Sequence, residues 1–175
     1  MIMFSILIQY TMQSDGSSLA ECSTDTCTSS PNATLELEST QSSRCPGVFE
    51  AHLRNHLGLT TYRYMYAGNF SNISPLPWMG AYHSSELPMI MGTFGDFRGR
   101  GTSFQSATSQ VMQDMYLAFA RDPENGLAAI GWPKYDSGLV EVFGGSAENG
   151  TESTHRAVPR GNIESICDGY FDDAT

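Results

Sequence analysis

The segment GAYHSSELP, residues 80–88, places a histidine in a glycine-led, polar stretch of the kind that forms loops. Hydrolysis by a serine nucleophile needs three groups: the serine, a base that takes its proton, and an acid that orients the base. In one chain order of these groups, the histidine comes last and lies in a loop after a late strand. His83 follows the strand-like segment TTYRYMY, residues 60–66, through such a loop. His83 is therefore a candidate catalytic base.

Two further histidines, His52 and His56, are four residues apart, a spacing that can hold a metal ion on a helix. No glutamate completes the zinc-protease pattern, so we interpret this pair as part of a polar helix face. The cysteines include no Cys-x-x-Cys pair, and no histidine lies at zinc-finger spacing from them. The sequence predicts no metal and no cofactor.

The charge balance of the chain excludes some classes of partner. Its 175 residues contain 9 Lys and Arg against 19 Asp and Glu, which gives a formal net charge of −10. Nucleic acids and anionic membranes need a basic surface on the protein that binds them. The one basic run, RGRG at residues 98–101, is short, and we interpret it as a solvated loop. Since no run of about 18 apolar residues is present either, we expect no nucleic-acid partner and no membrane span.

The cysteines and the glycosylation sequons indicate an oxidising compartment. The chain contains four cysteines, Cys22, Cys27, Cys45 and Cys167. Four Asn-x-Ser/Thr sequons begin at Asn32, Asn69, Asn72 and Asn149. The first residues, MIMFSILIQYT, are apolar but lack the basic region of a signal peptide. We expect a secreted or secretory-pathway glycoprotein with disulfide bonds, whose connectivity the spacing alone leaves open.

Local patterns predict the elements that must position His83. Residues 11–44 are rich in Ser, Thr, Asp and Glu, with almost no aromatics, and predict a loose segment. CPGVFEAHLRNHLG, residues 45–58, has proline near its start and a closing glycine, which predicts a helix. TTYRYMY alternates and is aromatic, which predicts a strand. Residues 67–101 predict a loop with a short helical turn at ELPMIMG, residues 86–92.

The second half of the chain holds the longest helical pattern, SATSQVMQDMYLAFARD at residues 106–122, with Val111, Met115 and Ala118 on one stripe. PENG, residues 123–126, ends it, and GWPKY, residues 131–135, predicts a turn that presents a tryptophan. GLVEVFGG, residues 138–145, alternates and predicts a second strand. This order of helices and strands predicts an α/β fold. Two strands do not make a stable sheet, so the central sheet would be incomplete.

Five motifs, in this order, resemble the C-terminal portion of fungal type B carboxylesterases, in the carboxylesterase, lipase and cholinesterase-like branch of the α/β hydrolases. They are TYRYMYAGNFSN, GAYHSSELPMIMG, YLAFARDPENG, GWPKY and VFGG. CP at residues 45–46 and IESIC at residues 163–167 also look like the pattern of that family. The resemblance covers residues 44–169. It implies a C-terminal fragment of an α/β-hydrolase fold over residues 44–175 and leaves residues 1–43 unassigned.

The resemblance also implies roles for single residues. In that family the histidine of G-x-x-H is the catalytic base of a Ser-His-Glu/Asp triad, which implies this role for His83. The family's acid comes from an earlier segment, so we interpret Glu86 as a structural partner that bonds the backbone or a nearby polar group.

Four bulky residues are expected in the core rather than at a substrate: Met112, Met115, Phe119 and Trp132.

Two cysteines, Cys45 and Cys167, bracket the region of resemblance. We hypothesise that they form a disulfide bond, with Cys22–Cys27 as the local alternative.

Several parts of the triad chemistry are not in the sequence. G-x-S occurs at residues 16–18, 101–103 and 144–146, but the fifth position is never glycine, so the nucleophile motif G-x-S-x-G is absent. By the resemblance, the acid and the oxyanion-hole loop would precede His83 by more residues than the chain holds. We expect an inactive fragment of a carboxylic-ester hydrolase, with a small-molecule ester as substrate of the full-length enzyme. The alternative is a non-catalytic, cholinesterase-like binding or interaction protein; the sequence predicts no oligomeric state.

Overall fold

The computed structural model describes residues 6–10, 43–76, 79–145 and 150–169. Within these ranges the strands form one four-stranded mixed sheet in the order β1-β2-β3-β4. The strands are β1 (Ile6–Tyr10), β2 (Tyr62–Tyr66), β3 (Leu139–Phe143) and β4 (His155–Pro159). β2 runs parallel to both of its neighbours, with Tyr64 opposite Glu141 on β3, and β4 runs antiparallel to β3. This mixture of helices and strands is compatible with part of an α/β fold.

Five α-helices accompany the sheet within the described ranges. They are α1 (Cys45–His56), α2 (Leu87–Ile90), α3 (Ser103–Arg121), α4 (Gly126–Ala129) and α5 (Gly161–Glu164). The predicted helix at residues 45–58, the helical turn at residues 86–92 and the strands at residues 60–66 and 138–145 are confirmed, with shorter bounds for both strands. Gly58, the predicted stop, has a positive φ of 71°, which suits the residue that follows a helix.

Helix α3 begins earlier than its apolar pattern predicts, because Thr102 caps it. The Thr102 hydroxyl accepts a hydrogen bond from the backbone N–H of Gln105 at 3.0 Å. The buried face is also rotated from the predicted stripe: Met115 is buried as predicted and Met112 beside the stripe is fully buried, while Val111 and Ala118 are only half-buried. The hydrophobic pattern alone missed this rotation because the first turns of α3 bury polar residues as well.

The tyrosines of β2 form the centre of the core. Tyr62, Tyr64 and Tyr66 lie on one face of the strand and are all fully buried. The rings of Trp132 and Phe143 pack edge-on against Tyr64, with centroids 5.7 and 5.3 Å away.

The four bulky residues expected in the core lie there. Met112, Met115 and Trp132 are buried, and the half-buried ring of Phe119 packs against the same cluster. The GWPKY turn therefore carries a tryptophan that points into the protein, which confirms the core assignment.

Two strands were not predicted from the sequence. β1 lies within the segment left unassigned at residues 1–43, where ILIQY offers only five residues with strand character. β4 has the sequence HRAVP, in which a histidine, an arginine and a terminal proline mask the strand pattern. Such residues are typical of an edge strand, whose outer side needs no partner. The sheet consequently has four strands rather than the two that the sequence indicated.

The opposite face of β2 carries a buried charge cluster. The Arg63 side chain is 1% exposed, and its Nε lies 3.3 Å from Oε1 of Glu164. The other oxygen of Glu164 accepts a hydrogen bond from the Tyr135 hydroxyl at 2.8 Å and lies 3.5 Å from Nε of Arg160. Burial raises the pKa of Glu164, and the positive charge of Arg63 opposes this shift. The cluster attaches the C-terminal segment to the central strand.

A disulfide bond fastens the same segment to helix α1. Cys45 and Cys167 are bonded, with their Cα atoms 5.4 Å apart, and both are buried beside Val48. The hypothesised Cys45–Cys167 pairing is therefore confirmed. Cys22 and Cys27 lie outside the described residues.

Replacing both Cys45 and Cys167 by alanine should lower the free energy of unfolding by about 4 kcal/mol, because the bond joins residues 122 positions apart and restricts the unfolded chain. Urea unfolding of the oxidised protein and of the double variant measures the difference. Equal unfolding midpoints would contradict the expected contribution.

The substitution Glu164→Gln should lower the free energy of unfolding by about 3 kcal/mol, since it removes a carboxylate from beside the buried Arg63 guanidinium. The matched control is Glu50→Gln on the exposed side of α1, expected to change the same quantity by less than about 0.5 kcal/mol. Urea unfolding again provides the measurement. If Glu164→Gln changed the free energy of unfolding as little as Glu50→Gln does, the charge cluster would not stabilise the fold.

Candidate active site

The loop between β2 and His83 is fixed by side-chain hydrogen bonds to its own backbone. The buried Ser74 hydroxyl donates to the carbonyl of Gly80 at 2.7 Å. The Tyr82 hydroxyl donates to the carbonyl of Ile73 at 3.3 Å. These two bonds join the first half of the loop to the residues just before His83, so the histidine is positioned by the loop's internal structure.

Gly68 allows the loop to begin so close to the sheet. A Cβ atom at this position would lie 2.4 Å from the hydroxyl oxygen of Tyr66 and 2.7 Å from the ring of Phe70. Both rings are buried, so neither can move aside without disturbing the core. The absence of a side chain at residue 68 therefore lets the chain fold back over the end of β2.

His83 lies in the tight turn that precedes helix α2. The turn is closed by hydrogen bonds from the backbone N–H of Ser85 to the carbonyl of Tyr82 at 3.0 Å, and from Leu87 N–H to the carbonyl of Ser84 at 3.2 Å. The His83 side chain is exposed. Ser84 has a φ of 69° and is the one non-glycine residue with a positive φ in the described part of the chain. Such a backbone conformation costs energy and is concentrated at functional sites.

Helix α2 is anchored under this turn by contacts with α3. The buried Ser109 hydroxyl donates to the backbone carbonyl of Met89 at 2.6 Å. The buried amide of Gln105 contacts the sulfur of the same residue at 3.6 Å. Met89 itself is fully buried in the core cluster. These contacts explain why the first turns of α3 are polar yet buried: they hold the element that follows His83.

Glu86 lies beneath the turn and is fully buried. Burial raises the pKa of Tyr66, and the negative charge of Glu86 adds to this effect. The pKa of Tyr116 is raised by burial and by the same carboxylate, while its hydrogen bond with Tyr64 opposes the shift. The position of Glu86 within the tyrosine core agrees with its interpretation as a structural residue.

The structure pairs two other histidines with buried carboxylates. Nδ1 of His155 lies 2.8 Å from Oε1 of Glu141, and Nε2 of His52 lies 3.7 Å from Oε2 of Glu164. Burial raises the pKa of Glu141, against the effect of its bond with His155. Sequence reasoning missed the first pair because its members are on separate strands, and one of these strands was not predicted.

The His155–Glu141 pair is suited to joining β4 to β3 rather than to activating a serine. The nearby Ser153 hydroxyl donates to the backbone carbonyl of His155 at 2.7 Å, and not to the imidazole ring.

His52 packs edge-on against Tyr135, with ring centroids 5.6 Å apart, and His56 is exposed on the same helix. Both residues of α1 are exposed, which agrees with the interpretation as part of a polar helix face.

Two of the moderately sized clefts formed by the described residues border the loop after β2 and the charge cluster. One of about 400 Å³ opens beyond the ends of β2 and β3, between the loop after β2 and the start of α3, and its lining includes Phe70, Arg100 and Phe104. The other, of about 340 Å³, lies beside the charge cluster and includes His52 and Arg160. His83 lines neither cleft.

Among the described residues, no group of three His, Cys, Asp or Glu side chains is arranged to hold a metal ion. No helix in the described ranges is long and apolar enough to cross a bilayer.

Comparison with known proteins supports an esterase or lipase family for this chain, although no family model matches it. The chain is 52% identical over 94 residues to Secreted lipase 5 of Gibberella zeae, a match that covers 54% of the chain and 17% of the relative. It is 41% identical over 140 residues to Chlorogenic acid esterase of Aspergillus niger, covering 70% of the chain and 26% of the relative. The chain thus spans only 17% and 26% of the lengths of these relatives. With the mixed sheet, this similarity suggests an α/β-hydrolase relationship.

The backbone at Ser84 provides a test of the strained turn. Ser84→Gly should change the free energy of unfolding by less than about 0.5 kcal/mol, because glycine adopts a positive φ freely but also gains freedom in the unfolded chain. Ser84→Val should lower it by about 1 to 2 kcal/mol, because a β-branched residue fits this conformation poorly. Urea unfolding of the two variants measures both effects. Equal stability of the valine and glycine variants would contradict the conformation at this turn.

Proposed function

We propose that this chain is the C-terminal part of a secreted type B carboxylesterase and that His83 is the catalytic base of its Ser-His-Glu/Asp triad. The observation that carries the proposal is the conformation of the turn: His83 is exposed, follows a parallel strand, and directly precedes the positive-φ residue Ser84. The two relatives, named a secreted lipase and a chlorogenic acid esterase, support ester hydrolysis.

The role of His83 is to move one proton in each direction. Its imidazole accepts the proton of the serine hydroxyl as that oxygen attacks the ester carbonyl, and then donates it to the departing alcohol oxygen. A second cycle with water releases the acid. An exposed imidazole on a closed turn can do this without rearranging its own backbone, since hydrogen bonds on both sides of His83 fix the turn.

The serine, the acid and the oxyanion-hole donors belong to segments other than those in this sequence. Without a nucleophile and oxyanion donors, a triad histidine has nothing to activate and no developing charge is stabilised. The isolated chain is therefore inactive towards esters, and the full-length enzyme acts on a small-molecule ester. The acyl and alcohol pockets belong to those other segments, and His83 is not part of the lining of either cleft.

A non-catalytic binding protein is the second candidate. The exposed imidazole beside the strained residue Ser84 favours the esterase over this candidate, because strained backbone is concentrated at functional sites. The two readings differ in one measurable property: only the esterase loses activity when the imidazole is removed.

The test of His83 uses a chimera in which residues 44–169 replace the corresponding C-terminal segment of the Aspergillus niger relative, which supplies the other triad groups. The chimera should hydrolyse p-nitrophenyl butyrate, and His83→Ala should lower kcat by roughly 10³-fold or more. The matched control, His56→Ala on the exposed end of α1, should leave kcat within about twofold.

Two further measurements keep this test decisive. Circular dichroism of each variant shows that the chimera is folded, and the 175-residue chain alone should give no turnover of the same ester. Activity that survives His83→Ala in a folded chimera would remove His83 from the catalytic machinery. Turnover by the isolated chain would contradict the proposed division of the site.

A further inference from the structure

Two N-glycosylation sequons follow each other directly in the loop after β2. They are Asn69-Phe70-Ser71 and Asn72-Ile73-Ser74, and both are of the Asn-x-Ser type. Both match the sequon, although Pro75 directly follows the second and a proline at that position disfavours glycosylation. The structure separates them, because the accepting side chain is exposed in the first sequon and buried in the second.

The Asn72 sequon is built into the fold. Asn72 is only 5% exposed, and its side-chain nitrogen Nδ2 donates to the backbone carbonyl of Phe94 at 2.9 Å. The carbonyl of Gly99 lies 3.5 Å from the same atom. Nδ2 therefore joins the loop after β2 to the loop before α3, and both of the bonds that an amide nitrogen can donate have a backbone acceptor within reach.

The third residue of this sequon is occupied in the same way. Ser74 is 5% exposed, and its hydroxyl donates to the carbonyl of Gly80, the bond that positions the residues before His83. Ile73, between them, is 2% exposed. All three residues of the second sequon thus contribute to the interior of the folded protein.

The Asn69 sequon has the opposite arrangement. Asn69 and Ser71 are both exposed, and only Phe70, between them, is buried and anchors the loop. The Asn69 side chain makes no hydrogen bond to any residue that the structure describes. Asn69 and Asn72 both line the open cleft beyond the ends of β2 and β3, but only the exposed Asn69 leaves room for a large polar substituent to extend into solvent.

We propose that Asn69 is the N-glycosylation site of this loop and that Asn72 remains unmodified as a structural residue. The donor is an oligosaccharide linked to a lipid through a diphosphate. Nδ2 of Asn69 forms a bond to the anomeric carbon of the first sugar, the bond from that carbon to the diphosphate oxygen breaks with its electron pair staying on that oxygen, and one amide proton passes to a base of the transferase and on to water. The lipid diphosphate leaves, and no oxidant or reductant is needed.

A glycan on Asn72 is incompatible with the fold for a simple reason. It would replace one hydrogen of Nδ2 by a sugar ring, while that nitrogen is enclosed between two backbone carbonyls. A chain modified there before folding would have to expel the side chain and break the contact between the two loops. Molecules that carry such a glycan should be missing from the folded, secreted population.

The proposal requires entry into the secretory pathway and is independent of ester hydrolysis. It can therefore fail while the proposed function holds, and the reverse is equally true. Its experiment reads sugar attachment and not activity, so the two outcomes do not interfere.

The experiment directs the complete chain into the secretory pathway of yeast behind a secretory leader. The folded, secreted protein is treated with peptide N-glycosidase in ¹⁸O water, which converts each glycosylated asparagine to labelled aspartate. Peptide mapping should find the label at residue 69 and not at residue 72. Label at residue 72, or none at residue 69, would overturn the proposal.

A matched variant isolates the second sequon. Ser71→Ala removes the first sequon by changing one exposed side chain, and it leaves Asn72 with its own intact sequon. The secreted variant should carry no glycan in this loop, although the sequon at Asn72 is complete. Transfer of the glycan to Asn72 in a folded, secreted variant would show that burial does not select between the two sites. Ser71→Thr, which keeps the first sequon, should retain the label at residue 69.

Discussion

The burial of three tyrosines on one short strand constrains the whole structure. Burying a tyrosine hydroxyl without a hydrogen-bond partner costs free energy, and two of the three hydroxyls bond to α3 or to the residues just after it. The Tyr62 hydroxyl donates to the carbonyl of Glu124, beyond the end of α3, and the Tyr64 hydroxyl bonds that of Tyr116 on α3 itself. These two hydrogen bonds therefore help to position α3 on the sheet, together with the burial of its apolar side chains.

The other face of β2 is held by a different kind of interaction. Arg63 projects away from the tyrosines and meets Glu164, which Tyr135 also bonds. A buried ion pair adds little net stability compared with an apolar replacement, but it accepts only one geometry. Aromatic packing on one face and charge pairing on the other fix the position of β2. They therefore also fix the point at which the loop to His83 leaves the strand. The orientation of His83 thus depends on residues that are far from it in the chain.

The sequence predicts those parts of the fold whose pattern is local. The helix of α1, the strand of β2 and the core position of Trp132 follow from periodicity, proline and glycine signals and residue size. The start of α3 does not, because Gln105 and Ser109 are polar and are buried only through contacts with Met89, which a pattern of hydrophobicity cannot contain. The strand β4 could not be predicted for a similar reason. Its edge position tolerates charged residues, and the bond between its His155 and Glu141 forms only when the strands pair. The candidate histidine could be found from its loop and a resemblance. The strained backbone beside it could not, because no residue type in the sequence marks it.

The bond between Cys45 and Cys167 determines where the chain enters and leaves the block that runs from α1 to the last turn. It brings the two ends of a segment separated by 122 positions to within 5.4 Å, so the polypeptide enters and leaves this block at nearly one point. Segments with adjacent ends can be inserted, exchanged or permuted without stretching the host chain. Residues 45–167 thus form a covalently closed block, to which β1 adds one strand from outside through its pairing with β2.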